Sequence, residues 1–344
     1  MRSPPALASV IDRTAGALAQ RRPPAADLTT RVGSVVLPNP VMTASGTSGH
    51  GAELGRYLDL STLGAVVVKS LSARPWPGNP PPRVWETTAG MLNGVGLQGP
   101  GVEAWLASDL PALVAGGARV VASIWGHSVE EYAEAAALLA GAPPEVVAVE
   151  VNLSCPNLDR SAVAGSSGRA MLFASSAAAT REAMEATAAC GRPRWAKLSA
   201  GVGDLVDIAA AARAGGAEAV TLINTLPAMA IDPGTGRRRL GGPGGGLSGP
   251  AIRPVAVRAV HDVAVALPGL PIVGVGGVAC GEDAAELLVA GAAAVQVGTA
   301  TFADPRAAAT VLAGLRGWAR RRGVRSLPEV VGAGHRAGKE GDVG

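Results

Sequence analysis

The stretch PIVGVGGVACGEDAAELLVAGAAAVQVGT (271–299) contains two short apolar runs separated by a segment with helical spacing. The runs PIVGVGG (271–277) and AVQVGT (294–299) are apolar on both faces, which is typical of strands in a buried parallel sheet. The segment between them, GEDAAELLVAGA (281–292), begins with acidic residues and ends near a glycine, as helices commonly do. The stretch therefore predicts a strand–helix–strand unit with parallel strands.

The same alternation runs through most of the chain. Six further apolar runs precede this unit, at VMTAS (41–45), AVVVKS (65–70), RVVASIW (119–125), VVAVEVNLS (146–154), RWAKLS (194–199) and AVTLIN (219–224). Segments with helical spacing lie between several of them, for example SVEEYAEAAALLAG and DLVDIAAAARAGG. Eight strands that alternate with helices predict an α/β fold of the TIM (β/α)8 barrel type, with an open doubly wound sheet as the alternative.

The domain organisation follows from these boundaries. We expect one barrel domain over 28–334, an N-terminal extension over 1–27 and a flexible tail over 335–344. Two connections, 71–101 and 225–250, are long and rich in Pro or Gly. Loops of this length inside a compact domain are usually functional, so both are expected at the barrel's C-terminal face. The glycines of the second predict a flexible loop beside a ligand.

Composition argues against several classes of partner. The 344 residues carry 30 Lys+Arg and 27 Asp+Glu, a net charge of +3, and only 3% are aromatic. So few rings and so small a basic excess make nucleic acid an unexpected partner. The sequence has no run of 18 apolar residues and no signal peptide, so we expect a cytoplasmic protein without membrane contact. The three cysteines lie far apart and predict neither a disulfide framework nor a metal site.

Rare polar residues stand where the predicted strands end. The chain has three lysines, and two of them, Lys69 and Lys197, end predicted strands. Asn152 and Asn224, two of its six asparagines, do the same. Because active sites of (β/α)8 barrels are built at the carboxyl ends of the strands, these side chains are expected to line one site.

The ends of the last two strands predict a phosphate site. GVGG (274–277) and QVGT (296–299) place glycines where backbone N–H groups can approach a phosphate closely. The loops after strands seven and eight are the recurrent phosphate site of this fold. The alternative is that these glycines only permit tight turns.

The two strand-end lysines predict an anion nearby. A buried lysine loses its charge by desolvation unless an anion compensates it. A reduced flavin or a substrate carboxylate could serve at Lys69 and Lys197, and a structural ion pair is the alternative reading of each.

The segment NLSCPN (152–157) predicts a nucleophile or base. Two carboxamides flank Cys155, and carboxamides match the alternating C=O and N–H edge of a cyclic imide. A thiolate can act as a general base when it is accessible near the working pH. We therefore predict that Cys155 is catalytic, with inert core packing as the alternative, and that Cys190 and Cys280 are structural.

Motifs along the chain resemble those of class 1 dihydroorotate dehydrogenases. They are, in order, NPVMTASGT, VVVKS, GNPPPRVWET, GMLNGVGLQ, VNLSCPN, INT, GGLSGPAIRP, VGVGGV and VGTA. The spacing around the third and fourth is most similar to the class 1B catalytic subunit. The resemblance implies oxidation of (S)-dihydroorotate to orotate by FMN in pyrimidine (UMP) biosynthesis. It also implies a homodimer core and a partner subunit with FAD and an iron–sulfur cluster that uses NAD, since this chain has no cysteine cluster to hold such a centre.

The resemblance also implies roles for individual positions. FMN would be held by Ala44, Ser45, Lys69, Ser70, Ser123, Asn152, Lys197, Ile223, Thr225, Ser248, Gly249, Gly276, Gly277, Gly298 and Thr299. Dihydroorotate would be held by Lys69, Asn93, Gly96, Leu97, Asn152, Asn157 and Asn224. Cys155, Lys69 and Lys197 form the implied catalytic set: Cys155 takes the C5 proton while hydride passes from C6 to flavin N5, and Lys197 stabilises the reduced flavin.

Two departures from the family pattern and three alternatives accompany this interpretation. The loop LDRSAVAGSSGRAML (158–172) lacks the Gly-Gly…Phe-Gly pattern of class 1B relatives, and Gly99 replaces the asparagine of the family's LQN. The alternatives are a flavin dehydrogenase of another dihydropyrimidine such as dihydrouracil, a lysine Schiff-base lyase and a non-enzymatic flavin scaffold. The sequence leaves the final electron acceptor open between NAD, through a partner, and fumarate, which class 1A relatives use.

Overall fold

The computed structural model describes residues 26–154, 173–201 and 203–335. Within these ranges the strands, in chain order, are β1 (Thr30–Val32), β2 (Val35–Leu37), β3 (Val41–Thr43), β4 (Val66–Val67), β5 (Val84–Thr87), β6 (Gly90–Asn93), β7 (Val120–Ile124), β8 (Val146–Asn152), β9 (Arg194–Leu198), β10 (Ala219–Leu222), β11 (Leu226–Ala228), β12 (Gly245–Ser248), β13 (Ile272–Val275) and β14 (Ala294–Val297). The α-helices of the same ranges are α1 (Val102–Ser108), α2 (Leu110–Ala115), α3 (Val129–Leu138), α4 (Ala177–Ala186), α5 (Leu205–Ala214), α6 (Arg253–Ala266), α7 (Gly281–Ala290), α8 (Ala300–Ala303) and α9 (Ala307–Arg321).

Eight parallel strands form the barrel. Their order is β3-β14-β13-β10-β9-β8-β7-β4. A parallel bridge between Met42 and Ala65 brings the two outer strands of this order together, so that the sheet closes on itself. All eight predicted strands are present, and the (β/α)8 barrel is confirmed over the open sheet.

Side chains fill the amino end of the barrel. The hairpin β1–β2 contributes Val32 and Leu37, which pack with Met42 and Trp195 in one buried cluster. Trp195 is fully buried there. A second, larger apolar cluster lies between the strands and the surrounding helices. Because the amino end is filled, the opposite end of the barrel is left for a binding site.

Several helices begin at polar caps that orient them against the barrel. Ser128 and Ser176 accept backbone N–H bonds at the starts of α3 and α4, and Asp204 does so at the start of α5. Such side chains satisfy N–H groups that have no partner inside the helix. Among the helices of the described ranges, none has the length and apolar character needed to span a bilayer.

The two long connections meet in a second sheet. Strands β11, β12, β6 and β5 form a four-stranded antiparallel sheet, which joins the connection 71–101 to the connection 225–250. The prediction of a flexible loop over 225–250 is therefore wrong for β11 and β12. Their glycines serve close packing instead, because a Cβ on Gly245 would lie 2.6 Å from the Asn93 backbone oxygen.

The predicted N-terminal extension and C-terminal tail fall almost entirely outside the described residues, which leave out 1–25 and 336–344. Asp27, at the end of the predicted extension, pairs with Ser326 beside the barrel. His335, at the start of the predicted tail, contacts the Ala290 carbonyl oxygen at 2.7 Å through its Nε2 atom.

Candidate active site

A cleft opens at the carboxyl ends of the barrel strands. The predicted FMN residues that line it are Ala44, Ser45, Lys69, Ser70, Asn152, Lys197, Thr225, Ser248, Gly249, Gly276, Gly277, Gly298 and Thr299. The predicted dihydroorotate residues that line it are Lys69, Asn93, Leu97, Asn152 and Asn224. The fold thus brings most of the predicted site residues to one place.

Three predicted residues of the described ranges are absent from this lining. Ser123 and Ile223 are buried, and Ser123 lies behind Ser70 with the two hydroxyl oxygens 2.9 Å apart. The backbone oxygen of Gly96 accepts a hydrogen bond from the Trp76 indole at 2.9 Å. Cys155 and Asn157 lie outside the described residues. Lining residues that sequence reasoning missed are Gly46, Thr47, Val84, Met91, Val95, Ile252, Val275 and Phe302.

Lys197 lies in the floor of the cleft. It projects from β9 and is only 5% exposed. Its Nζ atom lies 3.1 Å from the Ser45 hydroxyl and 3.7 Å from Oε1 of Glu150. A buried ammonium so placed is a fixed positive charge for an anionic or electron-rich ligand in the cleft, and the structural ion pair considered from the sequence is also present.

Glu150 is a component of the site that sequence reasoning missed. It is fully buried on β8, two residues before Asn152. Its Oε2 atom accepts from Gln296 at 2.7 Å and from Thr221 at 3.2 Å. The signal in the sequence was a single carboxylate within the otherwise apolar run VVAVEV (146–151). Such a residue is costly to bury unless it is paired.

Carboxamides occupy one side of the cleft. The Asn224 amide donates to the Ser154 backbone oxygen and, at 3.3 Å, to the Asn152 side-chain oxygen. The Asn152 amide donates to the Ser70 hydroxyl at 3.2 Å. These contacts fix the orientation of both amide groups beside the cleft.

Glycines form a cradle at the ends of β13 and β14. Gly276 and Gly277 have φ angles of 135° and 73°, which side chains rarely adopt. A Cβ on Gly276 would lie 2.9 Å from that of Ala256, and one on Gly277 would lie 2.6 Å from that of Arg253. Helix α6 thus packs directly behind a turn whose front lines the cleft. The positive φ angles show a tight turn at these glycines, and the phosphate site stays a prediction.

The second sheet covers one rim of the cleft. Asn93, at the end of β6, donates to the Gly246 backbone oxygen at 3.3 Å and so links the two long connections. Leu97 follows in the left-handed region with a φ of 61° and is 5% exposed. Side chains held in such conformations cluster at ligand sites, where surrounding structure maintains them. These contacts give the rim a fixed shape.

His50 lies behind the rim near Lys69. Burial lowers the pKa of its imidazole, the positive charge of Lys69 lowers it further, and the carboxylates of Asp109 and Glu53 oppose both effects. Its Nε2 atom is buried and has no hydrogen-bond partner among the described residues. The shift favours a neutral imidazole next to the Lys69 ammonium.

Comparison with known proteins identifies the family. The dihydroorotate dehydrogenase family model matches residues 27–318. The chain belongs to the dihydroorotate dehydrogenase family. A dihydroorotate dehydrogenase B (NAD(+)) catalytic subunit of Desulforudis audaxviator is 49% identical over 307 residues, 89% of this chain and 97% of that protein. The protein with the same name from Alkaliphilus metalliredigens is 44% identical over 302 residues, 88% of this chain and 97% of that protein.

A third relative carries a different name. A Solibacter usitatus protein with a dihydroorotate dehydrogenase A (fumarate) name is 44% identical over 308 residues, 89% of this chain and 97% of that protein. The resemblance to this family, and to the B-type catalytic subunit, is confirmed. This dihydroorotate dehydrogenase family member is therefore a flavin-dependent oxidoreductase, and a lysine Schiff-base lyase finds no support. The roles of individual residues stay predictions.

Proposed function

We propose that this chain oxidises (S)-dihydroorotate to orotate in pyrimidine biosynthesis, with FMN bound in the cleft at the carboxyl ends of the barrel strands. The observation that carries the proposal is the meeting of Lys197, two oriented carboxamides and a glycine cradle in one cleft. A flavin needs a charge near its ring and room for its phosphate, and a cyclic imide needs amide partners.

The residues of the cleft fit FMN in particular. Gly276, Gly277 and Gly298 line the cleft with backbone alone, where N–H groups can approach a phosphate, and Lys197 supplies a buried positive charge in the same cleft. Ser45 holds the Lys197 ammonium in place. Bound FMN supplies the two-electron acceptor for the hydride that leaves C6 of the substrate. The protein contributes a preorganised charge where negative charge develops.

The carboxamides orient the substrate ring. Asn152 and Asn224 are held by each other and by Ser70 and Ser154, so both amides keep a fixed orientation beside the cleft. The side chain of Asn93 is a further carboxamide, and it lies at the rim of the cleft. Lys69, which also lines the cleft, is assigned to the substrate carboxylate. Orientation of this kind places C5 and C6 for reaction.

Cys155 is proposed as the base that removes the C5 proton. The assignment comes from the NLSCPN motif and its resemblance to the family, because the residue lies outside the described ranges. Its chain neighbour Ser154 is fully buried, and its backbone oxygen accepts from Asn224. Ser154 therefore lies at the same edge of the barrel as the amides of Asn152 and Asn224.

The electron acceptor is proposed to be NAD, reached through a partner subunit. The relatives named as B-type catalytic subunits support this choice. The partner would carry FAD and an iron–sulfur cluster, and two copies of this chain would form the core of the complex. Purification of the chain from its own cells tests the proposal: a flavin and iron–sulfur subunit should accompany it. Turnover of the isolated chain with fumarate would contradict the NAD route.

An anaerobic flavin reduction experiment tests the reaction itself. The purified chain, loaded with FMN, is mixed with dihydroorotate or with dihydrouracil, and the flavin absorbance is followed. Dihydroorotate should bleach the flavin rapidly, whereas dihydrouracil, which lacks the C6 carboxylate, should not. A chain that binds no FMN, or that is reduced equally by both compounds, contradicts the proposed function.

A further inference from the structure

Glu150 is a buried carboxylate that the proposed reaction does not use. It is fully buried, lies outside the cleft lining, and points from β8 into a layer of the barrel just below Lys197 and Asn152. Burying a charge of this kind is expensive unless partners compensate it, and the barrel could have filled the space with an apolar side chain. A carboxylate in this layer therefore calls for a role beyond packing.

The carboxylate is surrounded by donors from four barrel strands. Oε1 lies 3.7 Å from the Lys197 ammonium on β9 and 3.5 Å from the Ser123 hydroxyl on β7. Oε2 accepts from Thr221 on β10 and from Gln296 on β14. Because both oxygens face donors, the group acts as an acceptor-only carboxylate. Of these four partners, Lys197 alone carries a charge.

The same carboxylate also reaches the amide side of the cleft. Ser123 contacts Ser70, and Ser70 accepts from the Asn152 amide, so three hydrogen bonds connect Glu150 to Asn152. This chain of contacts explains why Ser123, which the sequence placed against the cofactor, lies one layer behind it. Glu150 is thus linked both to the Lys197 ammonium in the floor of the cleft and, through Ser123 and Ser70, to the Asn152 carboxamide.

We propose that Glu150 sets the charge below the cofactor: it offsets part of the Lys197 charge and holds the reduction potential of the bound flavin below the value that the lysine alone would give. The proposal rests on the proposed FMN site, and Glu150 is a positioning residue, since it acts through its field and through Lys197. A flavin gains negative charge on reduction, and a second negative charge in the same low-dielectric layer opposes that gain.

The test compares Glu150→Gln with the wild-type chain, both loaded with FMN. The midpoint potential is measured against reference dyes, and the dissociation constant of sulfite, an anion that adds to flavins, is measured by titration. We expect Glu150→Gln to raise the potential by about 30 mV, which for a two-electron couple corresponds to a tenfold change in equilibrium constant. Sulfite should bind on the order of tenfold more tightly for the same reason.

The matched control is Thr221→Val. This change removes the 3.2 Å hydrogen bond to the same carboxylate and keeps its charge. We expect its potential and sulfite affinity to stay close to those of the wild type. A general loosening of the floor would instead affect both variants and, by displacing Lys197, would lower the potential.

The outcomes separate this inference from the proposed function. If the wild-type chain binds no FMN, the proposed function fails. If the wild type binds FMN, an unchanged or lowered potential in Glu150→Gln overturns the inference alone, as does loss of FMN from that variant. If Glu150→Gln does not fold, denaturant unfolding of two other apoproteins decides. The double variant Lys197→Met/Glu150→Gln should have a larger free energy of unfolding than Lys197→Met, in which the Glu150 charge is left unpaired. The reverse order would overturn the charge pair.

Discussion

Replacement of Gly276 by alanine tests whether the turn after β13 is built as a cradle. Its φ of 135° is unfavourable for any side chain, and the new Cβ would lie 2.9 Å from that of Ala256 on α6. A positive φ costs a non-glycine residue about 1–2 kcal/mol. The added contact costs about 1–3 kcal/mol more, because the barrel core and α6 must move apart. We therefore expect Gly276→Ala to lose about 2–5 kcal/mol of unfolding free energy.

Two other glycines separate the cost of the backbone conformation from the cost of the added contact. Gly269 has a φ of 84°, and no atom lies within 4 Å of the position that an added methyl group would take, so Gly269→Ala should lose only the backbone cost, about 1–2 kcal/mol. Gly141 has open space and no positive φ, so Gly141→Ala should be neutral or gain about 0.4–1 kcal/mol through the unfolded state. Denaturant unfolding of the three apoproteins gives these values directly.

The same variants report on the cofactor. FMN titration, followed by quenching of flavin fluorescence, should show at least about a tenfold loss of affinity in Gly276→Ala, equal to about 1.4 kcal/mol. Gly269→Ala and Gly141→Ala lie away from the cleft and should bind FMN like the wild type. The reasoning is refuted if Gly276→Ala is as stable as Gly269→Ala and keeps full FMN affinity.

Four further predictions concern catalysis, substrate binding, packing and pH. Cys155→Ala should retain FMN but slow anaerobic flavin reduction by dihydroorotate by about 10²–10⁴, the usual contribution of a general base, and an unchanged stopped-flow rate would remove Cys155 from that role. Asn224→Ala should raise the KM for dihydroorotate while FMN affinity stays the same, because its amide faces Asn152 and Ser154 rather than the glycine cradle; a parallel loss of FMN affinity would argue against this division. Trp195→Ala, in the filled amino end of the barrel, should cost about 3–5 kcal/mol in denaturant unfolding, and a much smaller loss would mean that the cluster repacks around the gap. Because the pKa of His50 is lowered in the folded chain, the unfolded chain binds a proton at this imidazole more readily. The free energy of unfolding should therefore fall as the pH drops below about 6.5. His50→Gln should make this fall with pH less steep in denaturant unfolding measured from pH 5 to 8.

The barrel could be predicted from the sequence because each strand carries its own signal. Runs such as AVQVGT and PIVGVGG are apolar on both faces, which is typical of strands in a buried parallel sheet. The site followed from the fold, since Lys197, Asn152 and Gly276 all end or follow strands. The rule that active sites of (β/α)8 barrels form at the carboxyl ends of the strands was therefore enough to predict that these residues share one site.

The second sheet could not be predicted in the same way. Asn93 on β6 and Gly246 on β12, which the sheet brings together, lie 153 residues apart in the sequence. Gly245 and Gly246 indicate flexibility when the local sequence is considered alone. They are required because β6 and Thr225 pack against them, and that contact exists only after folding.

Glu150 was missed for a related reason. A single carboxylate in an apolar run has no local pattern that reveals its partners. Its donors are Ser123, Lys197, Thr221 and Gln296, which come from four other strands and become neighbours only when the barrel closes. The layer below a site is thus harder to predict than its lining, because the lining follows strand ends and the layer below follows barrel register.

The most direct test of the account is the colour and reduction of the purified chain. We predict that the chain binds FMN in equal amount to protein, and that anaerobic dihydroorotate bleaches the flavin while dihydrouracil leaves it oxidised. A chain that remains colourless in the presence of excess FMN, or a bound flavin that dihydroorotate fails to reduce, would contradict the account.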